Sequence, residues 1–200
     1  MNNLVKTRKG EVIQDPPFVQ KLTSHPLAAW LWLPLRIYLG WQWLEAGIHK
    51  VEDVKWVGTG EALMGFWQRA VAIPEGGRPA ITYDWYRTFL QGLLDAQAYT
   101  WFAKLVAYGE VLIGIALIIG AFTGIAAFFG GFMNFNFMLA GSASTNPMLF
   151  AIAVALILAW KVAGYVGADF FLLRFLGTPW KGRPAPQPEA APAAAKPVRA

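Results

Sequence analysis

Cysteine is absent from this chain of 200 residues, and histidine occurs only twice. Without thiols, the chain supplies no disulfide, no thiolate nucleophile and no iron–sulfur ligand of its own. Charged residues are also scarce, at 14%, whereas apolar residues make up 56%. This balance is not that of an ordinary soluble domain, and it favours a membrane protein.

The two ends of the chain differ from its middle. Residues 1–26 form a polar, basic arm without the apolar core and cleavage site of a signal peptide, so we expect no cleaved leader. Residues 178–200 are rich in proline and alanine, which predicts a disordered cytoplasmic tail. Residues 27–177 then form one membrane domain.

Four apolar segments in this domain approach the roughly 20 residues that a helix needs to cross a bilayer. Their predicted bounds are 27–48, 101–120, 122–140 and 147–171. Gly120 and Gly124 separate the second segment from the third. Thr145 or Asn146 is placed to cap the fourth helix, with Pro147 as its first residue. The predicted fold class is therefore an all-α integral membrane bundle of four helices.

Lysine and arginine collect in the N-terminal arm and in the tail, which an even number of spans places on one side. The positive-inside rule then predicts a multi-pass protein of a prokaryotic cytoplasmic membrane, with both termini in the cytoplasm. The loop 51–100 lies on the outer side. Within it, 60–71 and 84–94 place apolar residues at helical spacing, which predicts two short amphipathic helices. They either pack at the membrane interface or cap the mouth of the bundle.

Polar side chains occur at similar predicted depth in all four spans. Arg36, Glu110 and Lys161 lie within a turn or two of mid-span, and Asn134 lies slightly towards the outer side. Because charge inside a bilayer is costly, we expect them to share one polar site. Two cations for one carboxylate favour an oxygen-rich guest, such as a quinone or a small anion. The alternative is a structural ion pair that only fixes how the helices assemble.

The first span carries two polar stripes on nearly opposite faces. The stripe expected to face the bundle consists of Arg36, Gly40, Trp43, Gly47 and Lys50. The other consists of Tyr38, Gln42, Glu45 and His49. Since both cannot face one cavity, either the helix is buried on two sides or the second stripe meets another subunit.

Three sequence runs resemble the DoxX/DoxD family of four-helix membrane proteins. They are Arg36, Leu39-Gly40 and Gly47-Ile-His-Lys50 in the first span, Gly109-Glu110 with Gly114-Ile115 in the second, and the run from Asn134 to Pro147. Asp84-Trp-Tyr in the loop and the ending Gly177-Thr-Pro-Trp180 fit the DoxD-like branch. The resemblance covers about 27–180. It implies a membrane subunit associated with oxidoreductases, such as a thiosulfate:quinone oxidoreductase, whose separate second subunit is not in this chain.

The leading hypothesis is a quinone-interacting membrane subunit of an oxidoreductase, which the resemblance links to oxidation of thiosulfate or other sulfur compounds. In it Glu110 relays protons, Arg36 and Lys161 stabilise negative charge on the reduced quinone, and Asn134 hydrogen-bonds a carbonyl. The residues predicted to contact the quinone are Trp43, Glu45, His49 and Tyr165. We do not expect the chain to be an active enzyme alone.

Other cofactors are not expected. His25 and His49 lie near opposite ends of the first span, so they cannot hold one haem, and no metal cluster or dinucleotide fingerprint is evident.

A second hypothesis is a non-catalytic scaffold subunit that holds a partner complex with the second stripe. A third hypothesis is a carrier of small anions. It is weaker than the other two, because four spans without an inverted repeat offer little machinery for alternating access. Expected partners are the lipid bilayer and other protein subunits, with a homo-oligomer left open, and no nucleic acid is expected.

Overall fold

Helices form almost all of the regular structure. The computed structural model describes residues 5–6, 12–13, 15–177 and 179. A pair of two-residue antiparallel strands, β1 (Val5–Lys6) and β2 (Val12–Ile13), precedes the helices. The helices are α1 (Pro17–Ser24), a 3₁₀ turn (Pro26–Ala28), α2 (Ala29–Glu52), α3 (Val54–Val57), α4 (Glu61–Val71), α5 (Asp84–Asp95), α6 (Tyr99–Ile119), α7 (Thr123–Leu139), α8 (Asn146–Leu158), α9 (Trp160–Ala163) and α10 (Asp169–Phe175). The all-α prediction is confirmed, whereas the predicted tail lies outside the described residues except for residue 179.

The first three predicted spans correspond to α2, α6 and α7. α6 ends at Ile119 because Gly120 takes a left-handed conformation with φ of 71°, which side chains disfavour and glycine tolerates. By length and hydropathy, α6 is the one helix in the described ranges that qualifies to cross a membrane, while α7 and α8 are apolar but shorter. The structure therefore supports one candidate span directly.

The prediction of a single fourth helix over 147–171 is wrong. α8 ends at Leu158, α9 has only four residues, and the chain then turns before α10. This segment leaves the helix to bond the turn between α6 and α7: the Ala168 nitrogen donates to the Ile119 oxygen at 3.0 Å, and the Asp169 nitrogen donates to the Gly120 oxygen at 2.7 Å. Lys161 and Tyr165 therefore do not share one continuous helix.

α2 and α6 form a close antiparallel pair. Gly40 lies against Gly114 and Ile118, whereas Gly47, farther along α2, lies against the earlier α6 residues Glu110 and Val111. Small residues on both helices let the two backbones approach, as in packed membrane helices. The first predicted stripe of α2 faces this contact, because Arg36, Gly40, Trp43 and Gly47 are all buried.

Gly114 provides a direct test of this close contact. A Cβ atom at Gly114 would lie 2.5 Å from the Leu44 nitrogen, so alanine must push α2 away from α6. We expect Gly114→Ala to lower the free energy of unfolding by about 2 kcal/mol. Gly109→Ala on the same helix is the matched control, because its Cβ would meet nothing within 4 Å. Its better helix propensity should leave stability unchanged or raise it by up to about 1 kcal/mol. If Gly114→Ala and Gly109→Ala lowered the free energy of unfolding equally, the close approach of α2 to α6 at Gly114 would be contradicted.

The loop between α2 and α6 folds against the bundle. α4 and α5 occur almost where the two amphipathic helices were predicted, at 60–71 and 84–94. Trp67 of α4 meets Phe102 of α6 edge to face, with ring centroids 5.4 Å apart. From α5, the Tyr86 hydroxyl donates to the Asn136 carbonyl oxygen of α7 at 3.1 Å. These contacts show that both loop helices cover the ends of α6 and α7.

Candidate functional site

A buried ion pair joins α2 to α6. The Lys50 Nζ atom donates to Glu110 Oε2 at 2.7 Å, and the two side chains are 19% and 1% exposed. Gly47, one turn before Lys50, brings α2 close enough for this contact. Lys50 also lies 5.2 Å from the centroid of the Trp56 ring. The ammonium group therefore interacts with both a carboxylate and an aromatic face.

A cavity of about 590 Å³ opens beside this pair. Gln42, Trp43 and Lys50 of α2, Glu110 of α6 and Asn134 of α7 line its inner wall. α4 and the polar turn between α7 and α8 complete it. Its volume lies within the range of sites for small organic ligands.

Three buried polar atoms in the wall have no hydrogen-bond partner among the described residues. They are both amide atoms of Asn134, which is 0% exposed, and Trp43 Nε1. Trp43 Nε1 lies against Gly130, one turn before Asn134 on α7. An unpaired buried polar atom costs roughly 1–3 kcal/mol, so these atoms favour a guest that supplies both an acceptor and a donor.

The positive and negative charges in the cavity wall are equal in number. Lys50 and Arg69 provide two cations, and Glu61 and Glu110 provide two carboxylates. The surplus of positive charge expected from the sequence is therefore not found in this cavity. A neutral guest with carbonyl or hydroxyl groups suits the wall better than an anion.

Arg36 belongs to a separate polar cluster at the far end of α6. Its Nη1 and Nη2 atoms donate to the carbonyl oxygens of Ala163 at 3.2 Å and Val166 at 2.9 Å. A Cβ atom at Gly120 would collide with the guanidinium, which places Arg36 beside the end of α6. Glu110 precedes Gly120 by ten residues, or about 15 Å of helix. Arg36 therefore cannot join the Glu110 cavity.

Asp169 completes this second cluster. Its Oδ1 accepts from the Phe122 nitrogen at 2.6 Å, and its Oδ2 accepts from the Thr123 nitrogen at 2.9 Å. The carboxylate thus caps the first turn of α7, where free N–H groups and the helix dipole favour negative charge. Asp169 is 1% exposed and lies close enough to interact electrostatically with Arg36. We read this cluster as structural.

The structure divides the residues that the sequence placed in one site. Glu110, Asn134 and Trp43 line one cavity. Lys161 is exposed, as are Glu45 and His49 on the outer face of α2. Tyr165 is partly buried, with its ring 5.3 Å from that of Phe170, near the Arg36 cluster. The prediction that the four polar groups near mid-span form one cluster is wrong. Their depths were counted from the predicted ends of the spans, and that count contains neither the register of the antiparallel helices nor the interruption of the fourth helix.

Sequence reasoning missed Lys50 as the partner of Glu110. The available signal was its place on the same stripe as Gly47 and Trp43, because that stripe faces the bundle. Lys50 lies two residues beyond the predicted first span, outside the depth at which the polar site was expected. No cluster of three or more potential metal ligands occurs within the described ranges.

The chain matches no protein-family model, no curated protein and no solved structure at a significant level. The resemblance to the DoxX/DoxD family therefore stays a prediction.

Proposed function

We propose that this protein is an integral membrane subunit that binds a quinone in the cavity beside the Lys50–Glu110 pair. The observation that carries the proposal is the fully buried Asn134 amide, which belongs to the lining of the same cavity as this pair and has no partner of its own in the described chain. The DoxX/DoxD resemblance supports the same ligand class and a role in an oxidoreductase complex, with sulfur-compound oxidation as the proposed context.

The exposed faces of the helices support insertion in a bilayer. On α6 the exposed large side chains recur at steps of three and four: Trp101, Leu105, Tyr108, Leu112, Ile115 and Ile119. On α7 they include Ile125, Phe128, Phe129, Phe132 and Phe135. The α6 stripe is about 27 Å long, close to the hydrocarbon thickness of a bilayer. Apolar surface of this extent is rare on soluble monomers. We propose that α2, α6, α7 and the α8–α10 segment form the membrane bundle, with both termini in a prokaryotic cytoplasm.

The cavity residues suit the head of a quinone. A quinone presents two carbonyl acceptors, and its reduced form presents hydroxyl donors. Asn134 provides a donor and an acceptor, and the Lys50 ammonium would donate to a carbonyl oxygen. Glu110 would exchange protons with the reduced ligand, while a partner subunit supplies or removes electrons. This assignment replaces Arg36 and Lys161 of the sequence hypothesis with Lys50.

Quinone titration of the protein in lipid nanodiscs tests this assignment. We expect Asn134→Leu to weaken binding about ten-fold or more, because the hydrogen bond that the amide Nδ2 would donate to a quinone carbonyl is lost. Lys161→Met is the matched control, since Lys161 is exposed and away from the cavity. Its affinity should equal that of the wild type. Unchanged binding in Asn134→Leu, or equal losses in both variants, would rule out this cavity as the quinone site.

A second candidate function is that of an assembly subunit, favoured by the outer face of α2. Glu45 and His49 are exposed there and flank Gly47, which packs at the level of Glu110 near the middle of α6. If α6 crosses the bilayer, these two groups face the hydrocarbon region unless another protein covers them. This position favours contact with a partner subunit or a second copy.

The outer face of α2 is tested by Glu45→Leu combined with His49→Leu. We expect this variant to separate from the partner that purifies with the wild type, because leucine fits lipid and removes the polar contact. Size-exclusion chromatography with light scattering measures the change in mass. Glu45 and His49 are outside the lining of the cavity beside Lys50 and Glu110, so quinone affinity should stay the same. An unchanged mass would remove the assembly function from this face.

A further inference from the structure

A second cavity, of about 340 Å³, lies between the loop helices and the bundle. Its wall is almost entirely apolar and includes Leu63, Trp67, Phe89, Leu93, Phe102 and Val106. These residues come from α4, α5 and α6, and α7 closes the remaining side. The composition differs sharply from that of the cavity beside Lys50 and Glu110.

The side chains of Tyr86 and Asn136 in the wall of this apolar cavity are already hydrogen-bonded. The Tyr86 hydroxyl donates to the Asn136 carbonyl oxygen at 3.1 Å and lies 3.2 Å from Asn136 Oδ1. Asn136 Nδ2 donates to the Phe132 carbonyl oxygen at 2.8 Å. Burial raises the pKa of Tyr86 to about 12, so its hydroxyl stays neutral. A guest in this cavity would therefore meet mainly apolar surface.

The two cavities share a wall. Phe66 of α4 and Phe137 of α7 line both of them. Their rings meet edge to face, with centroids 6.5 Å apart. Two aromatic side chains therefore lie between a polar compartment and an apolar one.

We propose that the apolar cavity holds the hydrocarbon chain of the ligand whose head lies beside Lys50 and Glu110. This inference rests on the proposed function and makes it more specific: the ligand is a quinone with a prenyl or alkyl chain, and its chain passes between Phe66 and Phe137. The loop helices α4 and α5 then form part of the binding site. Their packing against α6 and α7 serves to enclose the chain.

Photolabelling locates the chain directly. The probe is a benzoquinone whose decyl chain carries a diazirine, added to the full-length protein in lipid nanodiscs and mapped by mass spectrometry. We expect labels on buried cavity residues such as Leu63 and Leu90, and excess unlabelled decyl benzoquinone should compete them away. Labels confined to lipid-facing residues such as Leu112 or Phe128 would show that the chain leaves into the bilayer, and would overturn the inference.

Matched variants distinguish binding of the ligand's hydrocarbon chain from binding of its quinone head. Val106→Phe fills the apolar cavity, and we expect it to reduce cavity labelling by about five-fold or more. The affinity for a benzoquinone without a chain should stay within about two-fold of the wild type. Leu112→Phe adds a ring on the exposed face of α6 and should change neither measurement. Unchanged labelling in Val106→Phe would contradict the inference.

The chainless benzoquinone distinguishes the two proposals. If it does not bind the wild type beside Asn134, the proposed function and this inference both fail. If it binds there with the expected dependence on Asn134, while the diazirine probe labels only lipid-facing residues, the inference fails and the proposed function stands.

Discussion

Lys50→Met is expected to lower the free energy of unfolding by about 3 kcal/mol, because it leaves the Glu110 carboxylate without its cation in a buried position. Glu110 is 1% exposed and has Lys50 as its ion-pair partner at 2.7 Å. Methionine retains most of the length of the lysine side chain, so little packing is lost. Denaturant or thermal unfolding in detergent measures the change.

The double variant Lys50→Met/Glu110→Gln distinguishes the cost of an unpaired buried carboxylate from the cost of altered side-chain packing. Once both charges are gone, most of the stability should return, since apolar and neutral replacements of a buried pair are often nearly neutral. Lys161→Met is the surface control and should change stability by less than about 0.5 kcal/mol. If the double variant were as unstable as Lys50→Met alone, the account of an unpaired carboxylate would be wrong.

Asp169→Ala is expected to destabilise the protein by about 3–4 kcal/mol. The change removes the acceptor of two backbone N–H groups at the start of α7, Phe122 and Thr123. It also removes the carboxylate that lies nearest to the buried Arg36 guanidinium. The loss should loosen the attachment of the segment before α10 to the turn between α6 and α7. Hydrogen exchange at Phe122 and Thr123 should rise together with the loss of stability.

The control for Asp169 is Asp84→Ala. Asp84 is another aspartate beside an arginine: it accepts from Arg87 Nη1 at 2.6 Å, but its side chain is 90% exposed. An exposed pair contributes little, so we expect a change below about 1 kcal/mol. Similar losses for the two aspartates would contradict the view that burial and capping make Asp169 important.

Local sequence patterns predicted much of this fold. The stripe that contains Gly40 and Gly47 identified the face of α2 that packs on α6, because small residues at helical spacing permit close approach. The amphipathic pattern of the loop predicted α4 and α5 to within a residue of their bounds. These features depend on residues close in sequence, which is why one chain is enough to predict them.

Long-range geometry was harder to predict. The fourth run stays mostly apolar on both sides of Gly164, so mean hydropathy alone gave no sign that it turns there to bond the end of α6. The pairing of Glu110 also depends on the register between two antiparallel helices. The register places Gly47 beside Glu110 and so brings Lys50 to the carboxylate, whereas Arg36 lies 14 residues earlier on α2, beside Gly120. Asn134 and Trp43 were predicted to belong to the site, and they line the Glu110 cavity.

Asn134 links stability to the proposed function. Its amide is buried without a partner, so leucine of similar size should stabilise the protein by about 1 kcal/mol in the absence of ligand. A binding residue commonly has this property, because the group that recognises the ligand is costly when unpaired. A more stable variant that no longer binds quinone would fit this account.

The most direct measurement is the quinone content of the protein extracted from its own membrane in nanodiscs, compared with that of Asn134→Leu. The account predicts about one quinone per chain in the wild type and almost none in the variant, with the variant at least as resistant to unfolding. Equal quinone in both proteins, or none in either, would contradict a quinone site beside Lys50 and Glu110.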